Sequence, residues 1–335
     1  MIAPMDATGA GKGAGRQAPG VQCAPAVFMV CPAAFGYNAE TAPSNDLQQL
    51  PDTDPEALNK AARRESQALA RALQGEGISV LLAEDATPPL RPDAVFPNNW
   101  VSFHDDGTVV LYPMLAPNRR LERREELIAA VCARLGFAER RRVDLAAHER
   151  EGRFLEGTGS LVLDHVQRVA YAALSPRTDA TLVAEWARRM DYEPVLFTAR
   201  DPRGQPYYHT NVALWIGTHS AVLCSEALDA VDRPRITARL RATGRELIEI
   251  DRALLRQFAG NLLELATWDE ALGDCSLLVI SARARAALPR GLLRSLQSAA
   301  DTLLVVPVPT IERIGGGGVR CMLAEVPKVL GRVTA

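Results

Sequence analysis

The sequence predicts an α/β fold: a single-domain, five-bladed β/α propeller with pseudo-fivefold repetition, covering residues 26–335. Three observations predict it. A small residue or Asn followed by an apolar run recurs as NWVSF at Asn99, GSLVLDH at Gly159, NVALWIG at Asn211, NLLEL at Asn261 and GVRCML at Gly318, at spacings of 60, 52, 50 and 57 residues. Within these units the apolar pattern switches between period 2 and period 3.6, as it does where strands alternate with helices. One hairpin and one helix cannot bury a core alone, so five such units must pack on one another. An eightfold β/α barrel would instead show about eight shorter units with parallel strands and no hairpins.

The elements follow in order. Residues 1–25 are expected to form a disordered tail, Ala/Gly-rich and without the apolar core of a secretory signal. AVFMVC (Ala26 to Cys31) reads as a strand without a hairpin partner, and a helix is expected from about Pro55 to Gln74. VSFHDDGTVVLYPM reads as a hairpin around Asp106-Gly107, followed by the helix LERREELIAAVCARLG. The second unit runs SLVLDH, QRVAYAAL and TDATLVAEWARRM; the third runs NVALWIG, SAVLCSEAL and RPRITARLRATG before ELIEI. The last unit stops at about Val326, just after its strand. Lending it the N-terminal strand would close the ring and remove a loose edge.

The 335 residues are 47% hydrophobic and 23% charged, which suits a large soluble core. A net charge of -2 provides no global field toward nucleic acid or an anionic membrane. The clusters Arg119-Arg120, Arg123-Arg124 and Arg140-Arg141-Arg142 are interleaved with Glu122, Glu125, Glu126 and Glu139, and read as solvated helix faces. No segment approaches the roughly 20 apolar residues of a membrane helix. Six scattered cysteines with no CxxC pair suggest free thiols in a reducing cytoplasm.

In a propeller the residues leading each inner strand converge, although they lie 50 to 60 positions apart in sequence. That places Asn98, Asn99, Glu156, His209, Asn211, Asn261 and the GGGGVRC segment together. A lone Cys is ordinarily a small buried apolar residue. Cys321, however, follows four glycines and sits beside Arg320, whose charge would favour a thiolate. Of five histidines, only His209 stands at the mouth of an apolar strand among aromatic residues, where a general acid/base would be placed. The bland alternative is a satisfied core histidine. Glu156 lies between an apolar pair and a Gly-Thr-Gly turn; it could cap that turn, or hold the N–H groups of a planar guanidino or ureido head. GTGS lacks the Lys of a phosphate loop. Arg177 and Arg203 are candidate anchors for a substrate α-carboxylate. No spacing of His and Cys suggests a zinc site, and no metal or organic cofactor is expected.

FLEGTGSLVLDH, YYHTNVALW and GGGGVRCM, in that order, resemble the Glu, His and Cys segments of the pentein superfamily of guanidino-modifying enzymes. With PAAFGYNAETAPSN and AVFPNNWVSFHDDGTVVLYPM, the pattern is similar to the arginine deiminase-related, amidinotransferase-type branch that includes citrulline utilisation hydrolases. The resemblance covers about Ala26 to Val326. It implies the five-bladed propeller, with Cys321 as nucleophile, His209 as general acid/base and Glu156 as the substrate-orienting carboxylate.

The sequence departs from the deiminase pattern where Asn211, and Asn98 with Asn99, stand in place of carboxylates expected to pair with a guanidinium. An undercompensated buried cation costs about 3 to 5 kcal/mol, a loss of about 100-fold or more. A neutral ureido group wants donors and acceptors, which Asn supplies. These substitutions favour a small amino-acid substrate of the citrulline type over arginine, without excluding arginine derivatives. Hydrolysis of citrulline would proceed through a covalent Cys321 intermediate to ornithine, ammonia and carbon dioxide. Amidino transfer, arginine deiminase or dihydrolase chemistry at the same site, and a catalytically inactive binding propeller are the alternatives.

Overall fold

The computed structural model describes residues 22–328. The chain forms five three-stranded sheets, as a fivefold repeat requires. Strand β1 (Ala26–Cys31) leads through helix α1 (Pro55–Gly75) to β2 (Ser79–Glu84), with which it pairs in parallel. The next unit is β3 (Val101–Phe103), β4 (Thr108–Leu111), α2 (Glu125–Leu135) and β5 (Arg141–Asp144). After the one-turn helix α3 (Gly157–Ser160) come β6 (Val162–Asp164), β7 (Val169–Ala173), α4 (Ala180–Met190) and β8 (Glu193–Phe197). The fourth set is β9 (Leu214–Ile216), β10 (Ser220–Leu223), α5 (Asp232–Ala242) and β11 (Glu246–Glu249). Past α6 (Arg252–Leu255) lie β12 (Leu263–Asp269), β13 (Gly273–Ser281), α7 (Ala282–Ala287), α8 (Arg290–Ala299), β14 (Thr302–Val306) and finally β15 (Ala324–Val326).

Every unit is wired alike. Its first two strands pair antiparallel and the third pairs in parallel with the second, so a helix must carry the chain back along the sheet. One sheet differs in connectivity, and its pairing is the one expected for the N-terminal strand: β15 pairs antiparallel with β1, Ala26 opposite Val326 and Phe28 opposite Ala324. Without that pairing β1 would present a row of unpaired peptide groups.

Local chemistry explains the elements. Helix α1 starts where Asp54 accepts from the N–H groups of Glu56 and Ala57 and Pro55 occupies the first turn. No β-branched residue interrupts it, and Leu58, Ala62, Leu69 and Leu73 bury one face. The β3–β4 turn closes as expected, with Asp106 accepting from the Thr108 N–H at 2.8 Å.

Two expectations change. The tail was expected to run to residue 25; residues 1–21 lie outside the described residues, but Gln22 and Cys23 are buried. Gln22 Nε2 donates to the carbonyls of Leu163 and Ile216, and its Oε1 accepts from the His165 N–H, so this segment is clamped across two units. The cluster around Arg119 is not a solvated helix face. Pro117–Glu122 forms a separate 3-10 turn before α2, and it turns Arg119 and Glu122 inward, where they pair with each other.

Candidate active site

Short helical turns precede the first strands of four units, and they carry Asn98, Asn99, Asn211 and Cys321, with Glu156 and His209 at the residue just before a turn and Arg177 between β7 and α4. Pro97–Asn99 leads to β3, Gly157–Ser160 to β6, Thr210–Val212 to β9 and Val319–Met322 to β15. Asn99, Arg177, His209 and Cys321 line one cavity, together with Asp93, Arg119, Phe96, Tyr208 and the glycine run.

Glu156 is fully buried at the back of this cluster. Its Oε2 lies 2.9 Å from His209 Nε2, 3.3 Å from Arg177 Nη1 and 3.7 Å from Arg119 Nη1, while Oε1 accepts from the Leu115 N–H at 3.1 Å. It makes no side-chain cap on the Gly157 turn. Burial would raise its pKa, but Arg177, His209 and Arg119 outweigh burial and hold the carboxyl well below its ordinary range. Burial likewise disfavours a charged imidazole, and with Arg177 and Arg119 it overcomes the pull of Glu156, lowering His209 to about 4. An ionised Glu156 only accepts, so His209 Nε2 carries the hydrogen and Nδ1 is the basic atom of the ring.

Arg119 grips Glu122 through Nε and Nη2 at 2.9 and 3.0 Å and donates from Nη1 to Asn99 Oδ1 at 3.0 Å. Burial works against its charge, yet Glu122 and Asp93 hold it protonated well above its ordinary value. Arg177 donates to Ser44 Oγ at 2.8 Å and to the Thr41 carbonyl at 3.0 Å, and its guanidinium lies 5.1 Å from the centre of the Tyr208 ring. Asp93 Oδ2 accepts from Asn38 Nδ2 at 2.7 Å, whereas Oδ1 has no partner.

Cys321 is 3% exposed. Burial pushes its thiol up, opposed by a hydrogen bond from Asn261, by Arg320 and by Asn211. Arg320 itself turns toward Glu325 and the Leu323 carbonyl, each at 2.8 Å. The glycine run has a steric cause. A Cβ on Gly315 or Gly317 would stand 2.8 or 2.9 Å from the Phe96 ring, and one on Gly318 would stand 2.6 Å from Asn261 Oδ1. Tyr208 donates to the Gly316 carbonyl and ties the run to the His209 segment.

Asn211 sits beside Cys321, with Nδ2 3.8 Å from Sγ, and also donates to the Thr158 carbonyl at 3.2 Å. Asn98 is buried behind Asn99, whose Nδ2 donates to Asn98 Oδ1 at 3.0 Å. Arg203 is not part of the cluster: its side chain is 68% exposed and pairs with Asp201 at 2.8 Å. Sequence reasoning missed Asp93, Arg119 and Glu122, because alternating Arg and Glu look the same on a solvated helix and in a buried ion-pair network. Among the described residues no group of three or more His, Cys, Asp or Glu is arranged to hold a metal, and no helix is long and apolar enough to cross a membrane.

Residues 31–328 match the profile of a family described as N,N dimethylarginine dimethylhydrolase, eukaryotic. No curated protein matches the sequence. Solved structures share the fold. The N-terminal domain of ArgZ, an arginine dihydrolase from the ornithine-ammonia cycle in Cyanobacteria, solved as a Cys-to-Ser mutant bound to substrate, superposes with a TM-score of 0.67 at 18% identity, over 91% of this chain and 98% of that one. Full-length ArgZ is matched over only 42% of its length. Unliganded AgrE gives a TM-score of 0.69 at 20% identity, over 92% of this chain and 40% of that one. A dimethylarginine dimethylaminohydrolase adduct with S-methyl-L-thiocitrulline gives 0.59 at 16%, over 90% and 98%.

Proposed function

The chain belongs to the N,N-dimethylarginine dimethylhydrolase family, pentein enzymes that hydrolyse guanidino C–N bonds, and from that premise we propose that Cys321, His209 and Glu156 carry out this hydrolysis on arginine or an N-methylated arginine. The observation that carries the reading is the single buried cavity in which Cys321, His209 and Asn99, from three separate units, meet Arg177. We read the five sheets as propeller blades around this site and residues 26–335 as one domain.

Arg177 receives the substrate α-carboxylate, and the unpartnered Oδ1 of Asp93 accepts from a cationic N–H. His209 Nδ1 takes the Cys321 proton as Sγ bonds to the central guanidino carbon. The tetrahedral adduct collapses as the imidazolium returns that proton to the departing nitrogen, releasing ammonia or a methylated amine and leaving a thiouronium. His209 then takes a proton from water, whose oxygen attacks the same carbon; the C–S bond breaks with its electron pair leaving on Cys321 Sγ, which recovers the proton from His209, while the hydroxyl proton is lost to solvent and a ureido product forms.

A second reading, hydrolysis of citrulline to ornithine, ammonia and carbon dioxide, is favoured by Asn99. Its amide keeps one N–H beyond the one given to Asn98, a donor for a ureido oxygen that a carboxylate would lack. Mass spectrometry of products after separate incubation with arginine, N,N-dimethylarginine and citrulline tests both, with Cys321→Ser as blank. Citrulline formed from arginine or dimethylarginine supports the first; ornithine formed from citrulline supports the second, and ornithine formed from arginine supports both steps in turn. Turnover only after an amine acceptor is added would replace hydrolysis with amidino transfer.

A further inference from the structure

Asn261 takes no part in the chemistry above, yet its side chain reaches the nucleophile from the turn before β12. It is 1% exposed. The backbone fixes which way its amide faces: Oδ1 accepts from the Arg320 N–H at 3.1 Å, and Nδ2 donates to the Asn211 carbonyl at 3.1 Å. A peptide N–H can only donate and a peptide carbonyl can only accept, so the amide has one orientation. Its remaining N–H has Cys321 Sγ as the nearer acceptor, 3.3 Å from Nδ2, with Asn211 Oδ1 at 3.5 Å. Asn211 stands farther off, and the Arg320 guanidinium is engaged by Glu325 and the Leu323 carbonyl. His209 is hydrogen-bonded to Glu156.

We infer that Asn261 is the positioning residue of the nucleophile, donating one N–H to the Cys321 thiolate while its other polar atoms lock the Cys321 turn to the Asn211 segment. This rests on Cys321 being the nucleophile. The structure also explains why residue 318 is Gly, since a Cβ there would stand 2.6 Å from Asn261 Oδ1 and displace the amide. The titratable and charged groups facing Cys321 are His209 and Tyr208 before β9, Asp93 before β3, Arg119 and Arg177 across the cavity, and Arg320 beside it. Of these and the neighbouring amides, the Asn261 bond is the largest influence opposing the rise that burial imposes on the thiol.

The test needs no substrate. Alkylation of Cys321 by iodoacetamide is followed against pH, with site-resolved mass spectrometry because the protein has five other free cysteines. Asn261→Asp keeps the acceptor for the Arg320 N–H and replaces the donor at Sγ with an anion. Its alkylation midpoint is expected to move up by about one pH unit or more, with a rate about tenfold lower at a fixed pH below the midpoint. Asn261→Ser, uncharged and too short to reach Sγ, should shift the midpoint in the same direction. Should neither variant fold, the wild-type Asn261 side-chain N–H resonance supplies the reading, because it must shift through the Cys321 titration. Superimposed alkylation profiles in folded variants, or an unmoved resonance, would overturn the inference. A shifted profile in a protein that turns over no guanidino or ureido substrate would sustain the Asn261–Cys321 hydrogen bond and sink the hydrolase reading. Superimposed profiles in an active enzyme would do the reverse.

Discussion

His209 Nε2 stands 2.9 Å from Glu156 Oε2, and that contact settles which proton the imidazole keeps. Glu156 is held ionised by two buried arginines, so it accepts the Nε2 hydrogen and leaves Nδ1 basic. Glu156→Gln preserves the shape but leaves Arg177 and Arg119 without their shared anion and frees the ring to take the other tautomer. Turnover should fall about 100-fold or more, measured by steady-state kinetics with folding checked by circular dichroism. A rate within about threefold of wild type would remove Glu156 from the mechanism.

The same pair makes stability depend on pH. His209 is lowered to about 4 in the folded protein, against about 6.5 when unfolded. Between those values the unfolded chain binds the extra proton, so stability declines as pH falls from 6.5 toward 4 and is fully present above 6.5. The His209 contribution amounts to about 3 kcal/mol. Urea unfolding at several pH values should show this slope reduced in His209→Gln; an unchanged slope would assign it to other groups.

Gly159 packs closely against His209. A Cβ there would lie 2.6 Å from Asn99 Nδ2 and 2.7 Å from His209 Nδ1, crowding the atom proposed to exchange protons. Gly159→Ala should lower kcat at least about tenfold while Cys321 remains open to iodoacetamide. Loss of alkylation as well would mean that the substitution had disturbed the Cys321 turn instead.

Away from the site, Arg245 donates to both oxygens of the fully buried Asp164, at 2.6 and 3.1 Å, joining the end of β6 to the start of β11. Arg245→Ala strands a buried carboxylate and should cost about 3 to 5 kcal/mol in urea unfolding, with kcat little changed where the variant is folded. A loss below about 1 kcal/mol would show that water reaches Asp164 once the arginine is gone.

Much of this was legible before the structure. The strand–hairpin–helix period, the pairing of the N-terminal strand with the last one, and the meeting of Glu156, His209 and Cys321 all follow from Asn, Gly and apolar runs at intervals of 50 to 60 residues. Local pattern sufficed because each unit repeats the same wiring and offers its leading turn to the same place. Arg119, Glu122 and Asp93 escaped detection for the opposite reason. Their role lies in long-range charge pairing, and nothing in PNRRLE separates an arginine aimed at water from one aimed at Asn99. Asn98 and Asn99 were read as equivalent, whereas adjacent residues face different ways, and only Asn99 lines the cavity.

The pairing of β15 with β1 has a consequence for biosynthesis. Cys321 is fixed three residues before Ala324, whose strand docks on one made almost three hundred residues earlier. A nascent chain that already holds His209 and Glu156 therefore still lacks the strand pairing that anchors the Cys321 turn. The last strand can find the first only once translation has passed Val326.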